Sequence, residues 1–189
     1  MPFRGGCMSR SWSRTRKILE QEMLCECLKG RIQYFYTHYH GAPDNYGRFC
    51  VRVDGEEMVF ANPYNEGKIF FLANKIQKER GVPKREWNGK EILYNDENIK
   101  IENEAAKTLM LEGVMDIWQI FKALDIYLGA NIQDVIYSDN EVVRMFAVLD
   151  RRIGKRTLMK LKEQIDKQPE WLRFFYKLRL EAEGIELNI

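Results

Sequence analysis

The sequence changes its hydrophobic period, and that change limits what the chain can fold into. Between Arg48 and Asp54 apolar and polar residues alternate, the two-residue signature of a strand, while before Gly30 apolar residues recur at three and four, the helical spacing. Arg31 to His40, dense in Tyr34, Phe35, Tyr36 and Tyr39, reads as a strand. Gly41 to Gly47 is turn chemistry, with two glycines, a proline and two Asx residues. Arg48 to Asp54 then sets Phe49, Val51 and Val53 on one face and Arg48, Cys50 and Arg52 on the other. Asp54-Gly55 signals a hairpin into Met58, Val59 and Phe60, so three antiparallel strands are expected.

Helices flank these strands. Ser11 or Ser13 caps the first, with Ile18, Leu19, Met23, Leu24, Cys27 and Leu28 on its apolar face and Gly30 at its end. Asn62 to Glu66 starts the second, which buries Ile69, Phe70, Leu72, Ala73 and Ile76 and stops at Gly81 and Pro83. After a polar loop through Trp87-Asn88-Gly89 the chain reads as helical throughout. Its pieces are Glu102 to Glu112, a stripe of Val114, Ile117, Trp118, Phe121, Leu124 and Leu128, and a short helix at Asn131 to Tyr137. Ser138 or Asp139 caps the next, with Val142, Val143, Phe146 and Leu149; Leu158, Leu161 and Ile165 follow Gly154. A last helix opens at Pro169 and carries Trp171, Leu172, Phe174, Phe175 and Leu178. The fold class is α+β: a three-stranded antiparallel sheet with two flanking helices, followed by a mostly helical C-terminal half. Residues 1–10 read as a disordered extension, 11–85 as an α-β-β-β-α subdomain and 95–189 as a helical subdomain.

With 189 residues and 45% hydrophobic content the chain can bury a core of its own, and wholesale disorder is excluded. No run of about 18 apolar residues occurs, so no membrane-spanning helix is expected. The first residues lack the apolar centre of a signal peptide, which implies a cytoplasmic protein, with Met8 an alternative start. The cysteines are Cys7, Cys25, Cys27 and Cys50; Cys25 and Cys27 fall on different sides of the expected helix, too local to bridge, so free thiols are expected. Neither a P-loop, nor Gly-x-Gly-x-x-Gly, nor a Gly-x-Ser-x-Gly elbow occurs, which sets aside ATPase, kinase, dinucleotide and serine-hydrolase classes. No cofactor is called for.

Charge is segregated beneath a net of +2. Residues 1–62 hold nine Lys/Arg against seven Asp/Glu, 63–90 seven against three, 91–150 four against twelve, and 151–189 ten against six. Arg151, Arg152, Lys155, Arg156, Lys160 and Lys162 occur with no acid among them, and Arg10, Arg14, Arg16 and Lys17 form a smaller cluster. Such a cluster is either a solvated face neutralised by the acidic segment, or a surface for nucleic acid or an acidic protein partner. The Gly154 spacing is not that of a DNA-reading helix-turn-helix. The element order α-β-β-β-α matches double-stranded-RNA-binding domains, but the second helix starts with Tyr64, Asn65, Glu66 and Lys68, without their basic triplet.

Two further constellations carry chemistry. His38 and His40, two apart on a strand, share a face and offer two ligands to zinc, with Asp44 or Cys50 as a third; the competing reading is a polar-aromatic sheet face. Tyr39, Asp44, Asn45, Tyr46 and Arg48 sit in one loop-like stretch, and Asn62 to Glu66 in another; they form a binding site if they meet at one end of the sheet, or ordinary turns. The leading expectation is a non-catalytic binding module with Arg151, Arg152, Lys155, Arg156 and Lys160 as its contacts. The alternatives are an enzyme with a polar loop site around His38, His40 and Asp44, with or without a metal, and a structural subunit of a complex.

Four segments carry a resemblance. They are Ser9 to Lys17, Tyr39 to Phe49, Leu149-Asp150-Arg151-Arg152-Ile153-Gly154-Lys155-Arg156, and Phe175 to Gly184. They resemble a family of bacterial hypothetical proteins with no assigned activity, from about Met8 onward. The resemblance implies a bacterial cytosolic protein and no mechanism.

Overall fold

The computed structural model describes residues 11–37, 41, 47–90, 92–93 and 95–187. Three strands form the sheet: β1 (Ile32–Tyr36), β2 (Phe49–Val53) and β3 (Glu56–Ala61), antiparallel in the order β1-β2-β3. Asp54 and Gly55 both take positive φ, 51° and 93°, the pair of left-handed residues that a two-residue hairpin turn requires. The register shifts between Val51 and Arg52, where β3 carries one extra residue. The alternation holds. Ile32, Tyr34, Phe49, Val51, Val53, Val59 and Ala61 are buried on the inner face, while Arg16 and Arg52 cover the Phe35 ring on the other, at 4.9 and 4.4 Å. The outer face is not wholly open, since Cys50 is also buried.

The first helix is shorter than its apolar spacing implies. α1 (Trp12–Lys17) passes into a π-helical turn at Ile18–Met23, Leu24 is extended, and a 3-10 turn follows at Glu26–Leu28. Tertiary pairing explains the break: Leu24 bridges to Asp150, and the Cys25 amide donates to the Leu149 carbonyl at 3.0 Å. The π turn is held in place by Glu20, whose carboxylate accepts the edge-strand amide of Tyr34 at 2.8 Å. As a result Cys25 and Cys27 do not point to different sides of a helix; their sulfurs lie 3.3 Å apart.

α2 (Tyr64–Arg80) ends at Gly81 in the left-handed conformation, φ 66°. It packs on α3 (Asp96–Leu111) rather than covering the sheet, burying Ile69 and Ala73 against Ile101 and Ala105 in a satellite core. The resemblance to a double-stranded-RNA-binding domain is therefore one of element order only. Between α2 and α3 the expected loop contains a small hairpin, β4 (Glu86–Trp87) with β5 (Ile92–Leu93), turning at Gly89 with φ 92°.

The C-terminal half comprises α4 (Ile117–Gly129), α5 (Ile132–Val135), α6 (Glu141–Val148), α7 (Lys155–Lys162) and α8 (Glu170–Ala182). A reciprocal capping box of Asp116 and Gln119 starts α4. Asn140 caps α6, accepting from the Val142 and Val143 amides, in place of the expected Ser138 or Asp139. The sheet and these helices share one core, where Phe146 of α6 meets the rings of Tyr34, Phe49 and Tyr127 at 5.7, 6.5 and 5.5 Å. Among the described residues no helix is long and apolar enough to cross a membrane.

Candidate anion-binding surface

The chain between α6 and α7 is a short turn, Leu149 to Gly154, in which buried and exposed residues interleave. Leu149, Asp150 and Ile153 are buried, while Arg151 and Arg152 are exposed. A helix end leaves carbonyls without intrahelical partners, and burial makes such orphans costly. Arg179 of α8 answers this. Its Nη1 donates to the carbonyls of Leu149 and Asp150 at 3.2 and 3.1 Å, and its Nη2 to that of Ile153 at 2.9 Å. The guanidinium is 2% exposed and also pairs with Glu183 at 3.0 Å.

Asp150 fixes the other side of the turn. Its carboxylate accepts from the Tyr127 hydroxyl at 2.6 Å, from the Arg152 amide at 2.7 Å and from Arg152 Nη2 at 2.6 Å. Burial, and then the facing carboxylate, push the Tyr127 hydroxyl well above its ordinary range, so it stays a donor. The Arg152 guanidinium is held protonated by its hydrogen bonds to Asp150. From the N-terminal segment, the Met23 carbonyl accepts the Arg151 amide at 2.7 Å. Every constraint on the backbone is therefore internal, and the turn is a rigid mount.

What the mount presents is cationic. Gly154 leads into α7, whose inner face is Leu158 and Leu161 and whose outer face includes Lys155, Arg156 and Lys160. Arg151, Lys155, Arg156 and Lys160 are exposed, and none has an ion-pair partner among the described residues. Four acids of residues 91–150 pair with other cations. Glu104 pairs with Arg80 at 2.6 Å and Glu102 with Arg85, both joining α2 to α3. Glu141 holds Lys107 at 2.6 Å and Arg144 at 3.1 Å, and Asp150 holds Arg152. Burial pushes the Glu141 carboxyl up, but the Lys107 hydrogen bond, a backbone hydrogen bond and the charges of Lys107 and Arg144 together outweigh it, and the net shift is downward. Intramolecular pairing thus takes up Arg80, Arg85, Lys107, Arg144 and Arg152, and leaves Arg151, Lys155, Arg156 and Lys160 facing solvent.

His38, Tyr39, His40, Asp44, Asn45 and Tyr46 lie outside the described residues, as do residues 1–10 with Arg10 and Cys7. Arg48 is half-buried, pairs with Glu57 and lies 6.0 Å from the Phe60 ring centre. The register Tyr36–Phe49–Ala61 sets Arg48 and Asn62 at the same end of the sheet. Asn65 there is structural, buried with its Nδ2 donating to the Met115 carbonyl at 2.7 Å. Cys50 faces Glu57 at 3.8 Å, and among the described residues no group of three or more His, Cys, Asp or Glu side chains is placed to hold a metal.

The reading from sequence did not single out Asp150, Tyr127 and Arg179 as the parts that build the turn. The signal was present. Leu172, Phe175, Tyr176 and Arg179 fall at helical spacing on one stripe, so Arg179 is a cation on an apolar face.

Residues 11–180 match the SF0329 protein family, a description that names no activity. No curated protein and no solved structure matches the chain.

Proposed function

We propose, for a chain that belongs to the SF0329 protein family, a non-catalytic binding role in which the α6–α7 surface meets a polyanionic partner, nucleic acid foremost. Arg151, Lys155, Arg156 and Lys160 make the phosphate contacts, and Arg152 with Asp150 and Arg179 holds the backbone that aims them. The observation that carries this reading is the pairing pattern. The acids of residues 91–150 that form ion pairs take other cations, and these four are left unpaired on a turn built from buried polar contacts.

Their placement supports the same conclusion. Lys155 and Arg156 stand in the first turn of α7, where no acid is present and Gly154 gives no side-chain cap. A cation at a helix N-terminus opposes the helix dipole, costing about 0.3–1 kcal/mol each. Helix stability therefore does not explain these residues, whereas an anion seated beside them at that helix end reverses the sign of that interaction. An acidic protein surface offers carboxylates in place of phosphates and is the competing partner.

The test is fluorescence anisotropy of labelled single- and double-stranded DNA and RNA, with polyglutamate alongside, at low salt. Saturable binding to nucleic acid, lost when Arg151, Lys155, Arg156 and Lys160 are changed to Glu, supports the proposal. Preference for polyglutamate moves the assignment to an acidic protein partner. Absence of binding to any of them overturns it.

A further inference from the structure

The cysteine pair at the start of the 3-10 turn is a second feature with chemistry of its own. Cys25 caps that turn with extended backbone, ψ 146°, and is 2% exposed. Cys27 is half-buried. Its Sγ lies 3.3 Å from Cys25 Sγ and 3.5 Å from Glu183 Oε1. The backbone around the pair is fixed, with the Cys25 amide bound to Leu149 and the Leu28 amide bound to Cys25. A disulfide needs the sulfurs at about 2.05 Å, so a shift of little more than 1 Å would join them.

The two thiols differ in a useful way. Burial, offset in part by Arg179, pushes the Cys25 thiol up to about 12, so it stays protonated. Cys27 is the more accessible sulfur, and its thiol donates to the Glu183 carboxylate.

We propose that Cys25 and Cys27 form a dithiol–disulfide centre oxidised by a hydroperoxide. Cys27, its proton passed to Glu183, attacks one peroxide oxygen. The O–O bond breaks, Cys27 becomes a sulfenic acid, and the other oxygen leaves as water or alcohol after taking that proton. Cys25 then attacks the Cys27 sulfur, the S–S bond forms, and the sulfenic oxygen leaves as water with the Cys25 proton. Two electrons pass from the two sulfurs to the peroxide. Return to the dithiol takes a thiol reductant through a mixed disulfide. The centre is independent of the anionic partner proposed above.

The full chain suits a direct test, because trypsin cuts after Lys17 and Lys29 and the peptide between them, Ile18 to Lys29, holds Cys25 and Cys27 and no other cysteine. Reduced protein is treated with hydrogen peroxide, quenched with N-ethylmaleimide, digested and weighed. The expected peptide is unalkylated, lighter than the dithiol by two hydrogens, and restored by dithiothreitol. It should form about tenfold or more faster in the folded protein than in urea, because native geometry presents the resolving sulfur. In Cys25→Ser, dimedone should trap Cys27 as the sulfenic acid. Persistence of two maleimide adducts, direct passage to a sulfinic acid, or equal rates folded and unfolded overturns the proposal.

Discussion

Replacing Asp150 by alanine should cost about 3–5 kcal/mol, a large share of the stability of a domain this size, although the residue touches no ligand. The side chain is fully buried and accepts from the Tyr127 hydroxyl, the Arg152 amide and the Arg152 guanidinium. Removal leaves the Tyr127 hydroxyl, itself 2% exposed, without its acceptor, at about 1–3 kcal/mol. Two hydrogen bonds to a charged acceptor are lost as well, each about 1.5–3 kcal/mol before Arg152, which is 39% exposed, recovers water. Urea unfolding followed by tryptophan fluorescence reads the effect. With a slope of about 1–3 kcal/mol per molar, the midpoint should fall by roughly 1–5 M. Arg151→Ala, one residue on, should stay within about 0.5 kcal/mol of the parent, because its side chain only meets solvent. A loss below about 1 kcal/mol for Asp150→Ala, or equal losses for the two variants, would refute the argument that the turn is mounted on a buried network.

Other expectations follow from the same packing. Phe146→Ala, emptying the space between Tyr34, Phe49 and Tyr127, should cost about 3–5 kcal/mol and leave a single transition whether read by Trp fluorescence or far-UV circular dichroism, since sheet and helices share that core. Gly55→Ala should cost about 1 kcal/mol by calorimetry, because φ is 93° there and a side chain opposes it. Glu141 has its folded pKa lowered, so its stabilisation is present above the unfolded carboxylate value of about 4.3 and is lost as pH falls through the lower folded value. Lys107→Met removes the largest of the contacts that together outweigh burial; a deficit of about 1–2 kcal/mol at pH 7 should narrow on acidification as Glu141 takes a proton, and a deficit constant with pH would count against it.

Much of this architecture was legible, for local reasons. The β2–β3 hairpin follows from strict alternation and an Asp-Gly turn, both of which act within a few residues. The end of α2 follows from Gly81, which supplies the left-handed conformation. The first helix was misread because its apolar spacing is sound while its fate is decided by residues over a hundred positions away: Leu24 and Cys25 leave the helix to pair with Leu149 and Asp150. The hairpin around Asn88-Gly89 escaped notice because its strands are two residues each, too short to show a period. The α6 cap was ambiguous because Ser138, Asp139 and Asn140 are all good caps in succession. As for the surface, the acid-free run from Arg151 was visible in the sequence, but its pairing was not. Which cations the acidic segment neutralises depends on α2 lying against α3, and only tertiary structure shows that.

The salt dependence of binding tests the central claim most directly. Affinity for duplex DNA should be measured across salt concentrations for the parent and for a variant with Arg151, Lys155, Arg156 and Lys160 all changed to Ala. Four phosphate contacts predict a log–log slope of about −3 to −4, collapsing toward zero in the variant while the urea midpoint barely moves. A flat slope for the parent, or the same slope for both proteins, would contradict the account.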